Sequence, residues 1–124
     1  MYAQKIQSKI MVVDDSDDVR ELIGTFLQTR GYEITTATDG IDALEKLASE
    51  TFPLIITDIN MPKMNGPELL DTMSRSRQGY KAVVMSTYIE DEVKTELQKK
   101  GAVAFLLKPF SLRQLEDIVA QGLS

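Results

Sequence analysis

Carboxylates stand at two places in the sequence where an apolar run stops. Asp58 follows residues 54–57 in the stretch LIITDINMP. Asp14 and Asp15 follow residues 10–13 in the stretch IMVVDD. Three carboxylates that are brought close together repel one another and resist ionising together unless a cation compensates their charge. Oxygen ligands of this kind suit Mg²⁺, which often works beside a phosphate, so these residues predict a metal site if the fold brings them together.

Two further polar residues follow apolar runs. Ser86 comes after residues 82–85, and Lys108 comes after residues 104–107. Each of them alone also fits an ordinary role in a turn or as a cap. A lysine and a hydroxyl can together hold an anionic group. Combined with a metal and a carboxylate, they indicate phosphoryl transfer, a reaction that relies mainly on positioning and charge neutralisation.

The composition restricts the other chemistry that the chain can perform. It contains no cysteine and no histidine, which excludes a disulfide framework, a thiolate nucleophile and a histidine base. The net charge of −5 argues against direct binding of nucleic acid, which needs an excess of Lys and Arg. No apolar stretch approaches the roughly 20 residues that span a bilayer. We therefore expect a cytoplasmic protein, with residues 1–124 forming a single domain.

The elements that must position these side chains alternate along the chain. Five short apolar or β-branched runs have strand length, namely residues 10–13, 32–37, 54–57, 82–85 and 104–107. Five segments have helical spacing, namely residues 19–27, 41–48, 66–76, 89–100 and 112–119. This alternation predicts an α/β fold with a parallel sheet and right-handed crossovers. The run with two threonines, residues 32–37, is typical of an edge strand, and the other four are typical of strands covered on both faces.

Residues suited to helix ends support these boundaries. Ser16 or Asp17 can cap the first helix, and Ser111 can cap the last. Gly31 and Gly101 stand where the first and fourth helices should end.

In an open parallel sheet, ligands bind beyond the carboxyl ends of the strands. The predicted elements therefore bring the polar groups that follow four different strands to one edge of the sheet.

The sequence resembles the receiver domain of two-component response regulators, of the chemotaxis-receiver type. The resemblance covers about residues 8–123 and depends on four motifs in order, VVDD at 12–15, IITDINMPKMNG at 55–66, VVMST at 83–87 and FLLKPF at 105–110. It implies a flavodoxin-like (βα)5 fold, a three-layer sandwich around a five-stranded parallel sheet with strand order 2-1-3-4-5.

The resemblance also implies a role for each site residue. Asp58 would accept a phosphoryl group from a phosphohistidine on a sensor histidine kinase or phosphotransfer protein. Mg²⁺ would be bound by Asp15, Asp58 and the backbone carbonyl of Asn60, with Asp14 reaching it through water. Lys108 would pair with the phosphoryl oxygens. Such a protein catalyses its own phosphorylation and dephosphorylation and is not a turnover enzyme on small substrates.

Two residues match the family's switch positions. Ser86 would hydrogen-bond to the phosphoryl oxygens once the aspartate is modified, and Phe105 matches the aromatic residue that turns inward as the hydroxyl moves. Residues 88–121 would form the output face toward an unknown partner. Tyr88 and Asn60 occupy positions where family members tune attack of water on the acyl phosphate, so we expect them to affect the lifetime of the phosphoryl group.

Other classes of protein fit the sequence less well. A haloacid-dehalogenase-like phosphatase has a second acid two residues after its nucleophile, and here that position is Asn60. A nucleotide- or flavin-binding domain needs a glycine-rich loop after its first strand, whereas residues 14–18 read DDSDD. The remaining alternative is a phosphorylation-independent interaction module with the receiver fold. The complete set of carboxylates, hydroxyl and lysine argues against it.

Overall fold

The structure is a computed structural model that describes residues 8–61, 63–75 and 80–124. Within these ranges, five strands alternate with five helices. The strands are β1 (Lys9–Val13), β2 (Glu33–Ala37), β3 (Leu54–Asp58), β4 (Ala82–Ser86) and β5 (Ala102–Leu107). The helices are α1 (Asp17–Thr29), α2 (Gly40–Leu47), α3 (Gly66–Ser74), α4 (Asp91–Lys99) and α5 (Leu112–Leu123).

The strands form one parallel sheet in the order β2-β1-β3-β4-β5. In its register, Val13 lies beside both Ala37 and Thr57, and Asp58 lies beside Met85. The strands therefore end close to one another along a single edge. The predicted α/β class and the strand order 2-1-3-4-5 are confirmed.

Helices cover both faces of the sheet because alternate side chains of a strand point to opposite sides. Ile10 and Val12 of β1 pack in a core cluster with buried residues of α1 and α5. Met11 and Val13 of the same strand pack in a second cluster with buried residues of α2 and α3. A third, smaller cluster includes Leu97 of α4. The result is the expected three-layer sandwich.

The residues of the two edge strands predicted the exposure of β2 correctly but that of β5 incorrectly. β2 lies at an edge, as its threonines predicted. β5 lies at the opposite edge, where Val103 is 50% exposed and Leu107 is 51% exposed. The prediction that residues 104–107 are covered on both faces is therefore wrong. A strand at the border of the helical layers can carry a continuous apolar run, because only some of its residues, here Ala102 and Leu106, need be buried.

Helix ends agree with the capping residues, with small differences in boundary. Ser16, not Asp17, caps α1, and its side chain accepts a hydrogen bond from Val19 N. Ser111 caps α5 in a capping box. Gly31 has a left-handed φ of 92°, which glycine adopts without steric cost. The predicted end of the third helix at residue 76 lies outside the described residues. No helix in the described ranges is long and apolar enough to cross a bilayer.

Candidate functional site

Asp58 is the last residue of a strand that is buried along its whole length. The backbone of the next residue is fixed by two hydrogen bonds, since Ile59 N donates to Met85 O at 3.0 Å and Ile59 O accepts from Gly66 N at 3.1 Å. The hydroxyl of Thr57 donates to Asp58 O at 3.0 Å. The position of this carboxylate is therefore set by the main chain of two neighbouring elements.

Asp14 and Asp15 begin the loop between β1 and α1. Asp14 is buried, its N–H donates to Ala37 O at 3.2 Å and its Oδ1 accepts from Ser16 N at 2.9 Å. Asp15 is exposed. Carboxylate oxygens of Asp14, Asp15 and Asp58 all lie within 4.8 Å of one another. The structure thus brings the three predicted acids into one cluster with room for a shared cation.

Lys108 joins this cluster from the end of β5. Its backbone N–H donates to Ser86 O at 2.8 Å, and the Lys108–Pro109 peptide bond is cis. Its Nζ lies 3.2 Å from Asp58 Oδ1 and 3.4 Å from Asp14 Oδ2. Four of the five polar groups predicted to converge on this edge therefore lie together, in a site with three carboxylates and one ammonium group.

Burial and the neighbouring charges shift the pKa values of Asp58 and Lys108. Burial raises the pKa of Asp58 above 3.8; the attraction of Lys108 opposes this shift, and the negative charge of Asp14 adds to it. For Lys108, burial lowers the pKa, but the two carboxylates outweigh it, so the net pKa lies above 10.5. The ammonium stays charged at neutral pH and does not balance three acids. This surplus of negative charge on hard oxygen donors fits Mg²⁺.

Ser86 lies at the end of β4, but its side chain is engaged elsewhere. The buried hydroxyl donates to Tyr88 O at 2.8 Å, and its oxygen accepts from Tyr88 N at 3.2 Å. These two bonds close a small turn in the β4–α4 loop. The fifth polar group is therefore at the predicted edge of the sheet but is bonded to its own loop.

The remaining predicted residues surround the cluster. Asn60 is exposed and lines a shallow depression with Asp15, Met61 and Asn65. Phe105 is half-buried in β5, with the Lys94 ammonium 5.8 Å from the centre of its ring. Asn60 thus lies beside Asp15 of the cluster, whereas Phe105 contacts Lys94 of α4.

Sequence reasoning missed one residue that supports the acids. Arg20 donates from Nη1 to Asp14 O at 2.6 Å and forms an ion pair with Asp17. The i, i+3 spacing of Asp17 and Arg20 at the start of a helix was a signal for the ion pair. Nothing in that spacing indicated the bond to Asp14 O, because it depends on how the loop enters the helix.

Most of the chain is similar in sequence to known proteins. Residues 10–120 match the family described as response regulator receiver domain. Regulatory protein AtoC of Escherichia coli (strain K12) is 33% identical over 116 residues, which are 94% of this chain but only 25% of AtoC. Sporulation initiation phosphotransferase F of Bacillus subtilis (strain 168) is 29% identical over 95% of both chains.

Solved structures agree with these relatives. The chemotaxis response regulator CheY4 of Vibrio cholerae has a TM-score of 0.89 and 34% identity, with 95% of this chain and 100% of that chain covered. Response regulator TrrA of Thermotoga maritima, in complex with Mg²⁺-BeF, has a TM-score of 0.82 and 32% identity, with 94% and 100% covered. Fold, carboxylate cluster and these comparisons lead to one conclusion: the chain belongs to the response regulator receiver domain family.

Proposed function

We propose that Asp58 is the phosphoacceptor in a two-component pathway and takes its phosphoryl group from a phosphohistidine. The donor is a sensor histidine kinase or a phosphotransfer protein. The observation that carries the proposal is the meeting of Asp58 with Asp14, Asp15 and Lys108 at the carboxyl edge of the sheet. Two relatives of this chain, a sensor kinase and a sporulation initiation phosphotransferase, support a place in phosphoryl signalling.

The transfer needs no base on this protein. An oxygen of the ionised Asp58 attacks phosphorus, the bond between phosphorus and the imidazole nitrogen breaks, and its electron pair stays on that nitrogen. The product is an acyl phosphate. The Lys108 ammonium, 3.2 Å from Asp58 Oδ1, is placed to neutralise charge on the phosphoryl oxygens. Because its net pKa is raised by the neighbouring acids, it carries this charge at any pH near neutrality.

Asp15, Asp58 and the backbone carbonyl of Asn60 would hold Mg²⁺, with Asp14 acting through water. When bound, the ion would neutralise charge on the phosphoryl oxygens and help to align them. The donor chemistry fits, since these are hard oxygen ligands with a surplus of negative charge. The Mg²⁺-BeF complex of the similar TrrA protein supports the same ion here.

Phosphorylation would change the hydrogen bonding of Ser86. To reach a phosphoryl oxygen, its hydroxyl must leave the turn with Tyr88, which releases the backbone of the β4–α4 loop. Phe105 would turn inward as the hydroxyl moves, and the change would reach an output partner through residues 88–121. Tyr88 and Asn60 would set how fast water attacks the acyl phosphate.

The proposed function also limits the chemistry of this chain. Catalysis is limited to phosphorylation and dephosphorylation of its own Asp58, without turnover of small substrates. Residues 1–124 would act as one receiver domain in the cytoplasm, without direct contact with nucleic acid or membrane. The chain spans a quarter or less of several curated relatives, so the activity of any longer protein is not assigned by this site.

Intact-mass analysis tests the proposal. The chain is incubated with acetyl phosphate in the presence of Mg²⁺, beside a sample with a chelator and an Asp58→Ala variant. We expect a phosphoryl adduct only in the wild-type sample with Mg²⁺. No adduct with acetyl phosphate, followed by none with a panel of phosphorylated histidine kinases, would instead support a phosphorylation-independent interaction module.

A further inference from the structure

The start of α2 packs against the loop that follows Asp58. We call residues 59–65 the Asp58 loop; the structure describes all of it except residue 62. Gly40, the first residue of α2, donates its N–H to Met64 O at 3.1 Å. This bond joins the loop that carries Asn60 to a helix that contributes no residue to the carboxylate cluster.

Gly40 leaves no room for a side chain at this contact. A Cβ on Gly40 would lie 2.6 Å from Met64 Cγ and 2.8 Å from both Met64 Cβ and Met64 O. The Cγ can rotate away, but the carbonyl oxygen belongs to the backbone. Ordinary contact begins at 3.4 Å, so the loop backbone would have to move by about 3.4 − 2.8 = 0.6 Å.

The ends of the Asp58 loop cannot absorb such a movement. Ile59 N donates to Met85 O, and Gly66 N donates back to Ile59 O, which closes the loop on itself. Gly66 is also packed closely, since a Cβ there would lie 2.6 Å from Asp58 O. A displacement at Met64 must therefore be taken up within the loop, where Asn60 lies.

Other contacts at this junction are weaker. Asp39 caps α2, since its Oδ1 accepts a hydrogen bond from Asp42 N. Its Oδ2 lies 3.8 Å from Lys63 Nζ. The Lys63 side chain is 69% exposed, and exposed ion pairs contribute little. Lys63 has a left-handed φ of 66°, a conformation that a residue with a side chain keeps only where its neighbours hold it. The close contact at this junction is the one between Gly40 and Met64, the residue that follows Lys63.

We propose that Gly40 is a positioning residue for the phosphorylation site. Because it lacks a side chain, the start of α2 can hold Met64 O and keep the Asp58 loop in the position from which Asn60 serves the Mg²⁺ site. This inference rests on the proposed function, since it assigns Gly40 to the same site. It predicts that a single methyl group on α2 weakens Mg²⁺ binding.

A matched pair of variants tests this role. In a helix interior, alanine is more favourable than glycine by about 1 kcal/mol, so helix propensity predicts that Gly24→Ala is stabilising and gives no reason for Gly40→Ala, at the first residue of α2, to be destabilising. A Cβ on Gly24 would meet Ile34 Cγ2 at an ordinary 3.4 Å, far in sequence from the Asp58 loop. Calorimetric titration with Mg²⁺ and the rate of phosphorylation by acetyl phosphate are measured for wild type and both variants.

We expect Gly40→Ala to weaken Mg²⁺ binding and to slow phosphorylation by about tenfold each, since a misplacement near 1 Å can cost about 100-fold. Raising the Mg²⁺ concentration should restore part of the rate, and a circular-dichroism spectrum equal to that of wild type separates this effect from a loss of folding. Gly24→Ala should match wild type in both. Equal Mg²⁺ affinity in Gly40→Ala and Gly24→Ala would overturn the proposal.

A measurement on the wild-type chain decides the matter if Gly40→Ala does not fold. Coupling between two equilibria in one molecule is reciprocal: if opening the bond between Gly40 N and Met64 O weakens Mg²⁺ binding, Mg²⁺ stabilises that bond by the same factor. Amide hydrogen exchange of Gly40, followed by NMR, should therefore slow on addition of Mg²⁺. An unchanged exchange rate in saturating Mg²⁺ would contradict the proposal.

These readouts separate failure of the two proposals. Wild-type protein that binds Mg²⁺ but is not phosphorylated by any donor would refute phosphoacceptor function, while Gly40 would still be judged by Mg²⁺ affinity and exchange. Wild-type protein that is phosphorylated, with Gly40→Ala indistinguishable from it, would refute only the positioning role. A wild-type chain without Mg²⁺ binding would refute both.

Discussion

The two halves of the site are held in different ways. On the β1 and β3 side, Asp14 and Asp58 are buried, and backbone bonds from neighbouring elements fix the chain around both of them. On the β4 and β5 side, the Ser86 hydroxyl bonds to Tyr88, whose own side chain is 72% exposed. The main-chain bonds around Asp14 and Asp58 therefore preorganise the two acids. The Ser86 hydroxyl, in contrast, is held by local bonds that it can exchange for others.

The helices beside the two halves also differ, because α1 buries more residues than α4 does. α1 buries Ile23, Gly24 and Leu27, whereas Leu97 is the one buried residue of α4, which lies entirely within the described ranges. The N-cap of α4, Glu90, makes no side-chain capping bond. Elements with few buried contacts open at lower free energy than the core. The comparison therefore predicts that changes to the acids, or to the Lys108 ammonium that pairs with them, alter chemistry. Changes around Ser86 and Phe105 should instead alter the response.

The largest expected effect comes from the lysine that faces the acids. Lys108→Met keeps the apolar stem and removes the charge, and we expect phosphorylation by acetyl phosphate to slow by about 100- to 1,000-fold, as for loss of one charge-stabilising donor. The exposed Lys99→Met serves as the matched control. A Lys108→Met rate equal to that of the control would remove Lys108 from the chemistry.

The second-largest expected effect is on Mg²⁺ affinity and comes from Asp14, the buried acid after β1. Asp14→Asn preserves the shape and the bond from Ser16 N but removes one negative charge. We expect Mg²⁺ binding to weaken by about 10- to 100-fold, the range found for groups that support a metal from outside its direct ligands. Calorimetric titration measures it, with exposed Asp117→Asn as the control. Unchanged affinity would argue that Asp14 does not support the metal.

A substitution in the second half should separate chemistry from response. Phe105→Ala removes a half-buried ring and should cost about 1–2 kcal/mol of stability, less than the 3–5 kcal/mol of a fully buried Phe. The rate of phosphorylation should stay as in wild type, while the shifts that phosphorylation induces in NMR signals of residues 88–121 should diminish. A variant that phosphorylates and responds as wild type does would eliminate the switch role.

The smallest effect concerns a carboxylate of α2 outside the cluster. The hydrogen bond from Thr38 N, followed by the attraction of Lys46, holds the pKa of Asp42 below 3.8. A lowered pKa in the folded state adds stability above 3.8 that is lost as the pH falls through the folded-state value. Asp42→Asn should cost at most about 0.5 kcal/mol at neutral pH, since the pair is solvent-screened.

Urea unfolding of wild type and Asp42→Asn at neutral and acidic pH measures this contribution. The difference between their free energies of unfolding should vanish once Asp42 is protonated in the folded state. A difference that is the same at both pH values would show that the carboxylate charge does not stabilise the start of α2.

Most of the elements could be predicted because their signals are local. Apolar runs and helical spacing located all five strands and helices to within a few residues, and Ser111 marked a helix start. The same signals failed for β5, because a continuous apolar run does not tell an edge strand from a central one. Whether Ser16 or Asp17 caps α1 was left open, since both side chains can accept the same bond.

The residue types that could carry the chemistry were visible in the sequence: acids, a hydroxyl and a lysine directly after strands, in a chain without histidine or cysteine. Residue type and position in a strand are properties of short segments, so they can be read without coordinates. The tertiary structure decided which groups touch. The ion pairs of Lys108 with Asp14 and Asp58 and the contact of Gly40 with Met64 join segments that are far apart in sequence, and that separation carries no record of their distance in space. The Ser86 turn and the bond from Arg20 to Asp14 O join near neighbours, but they depend on the path of each loop.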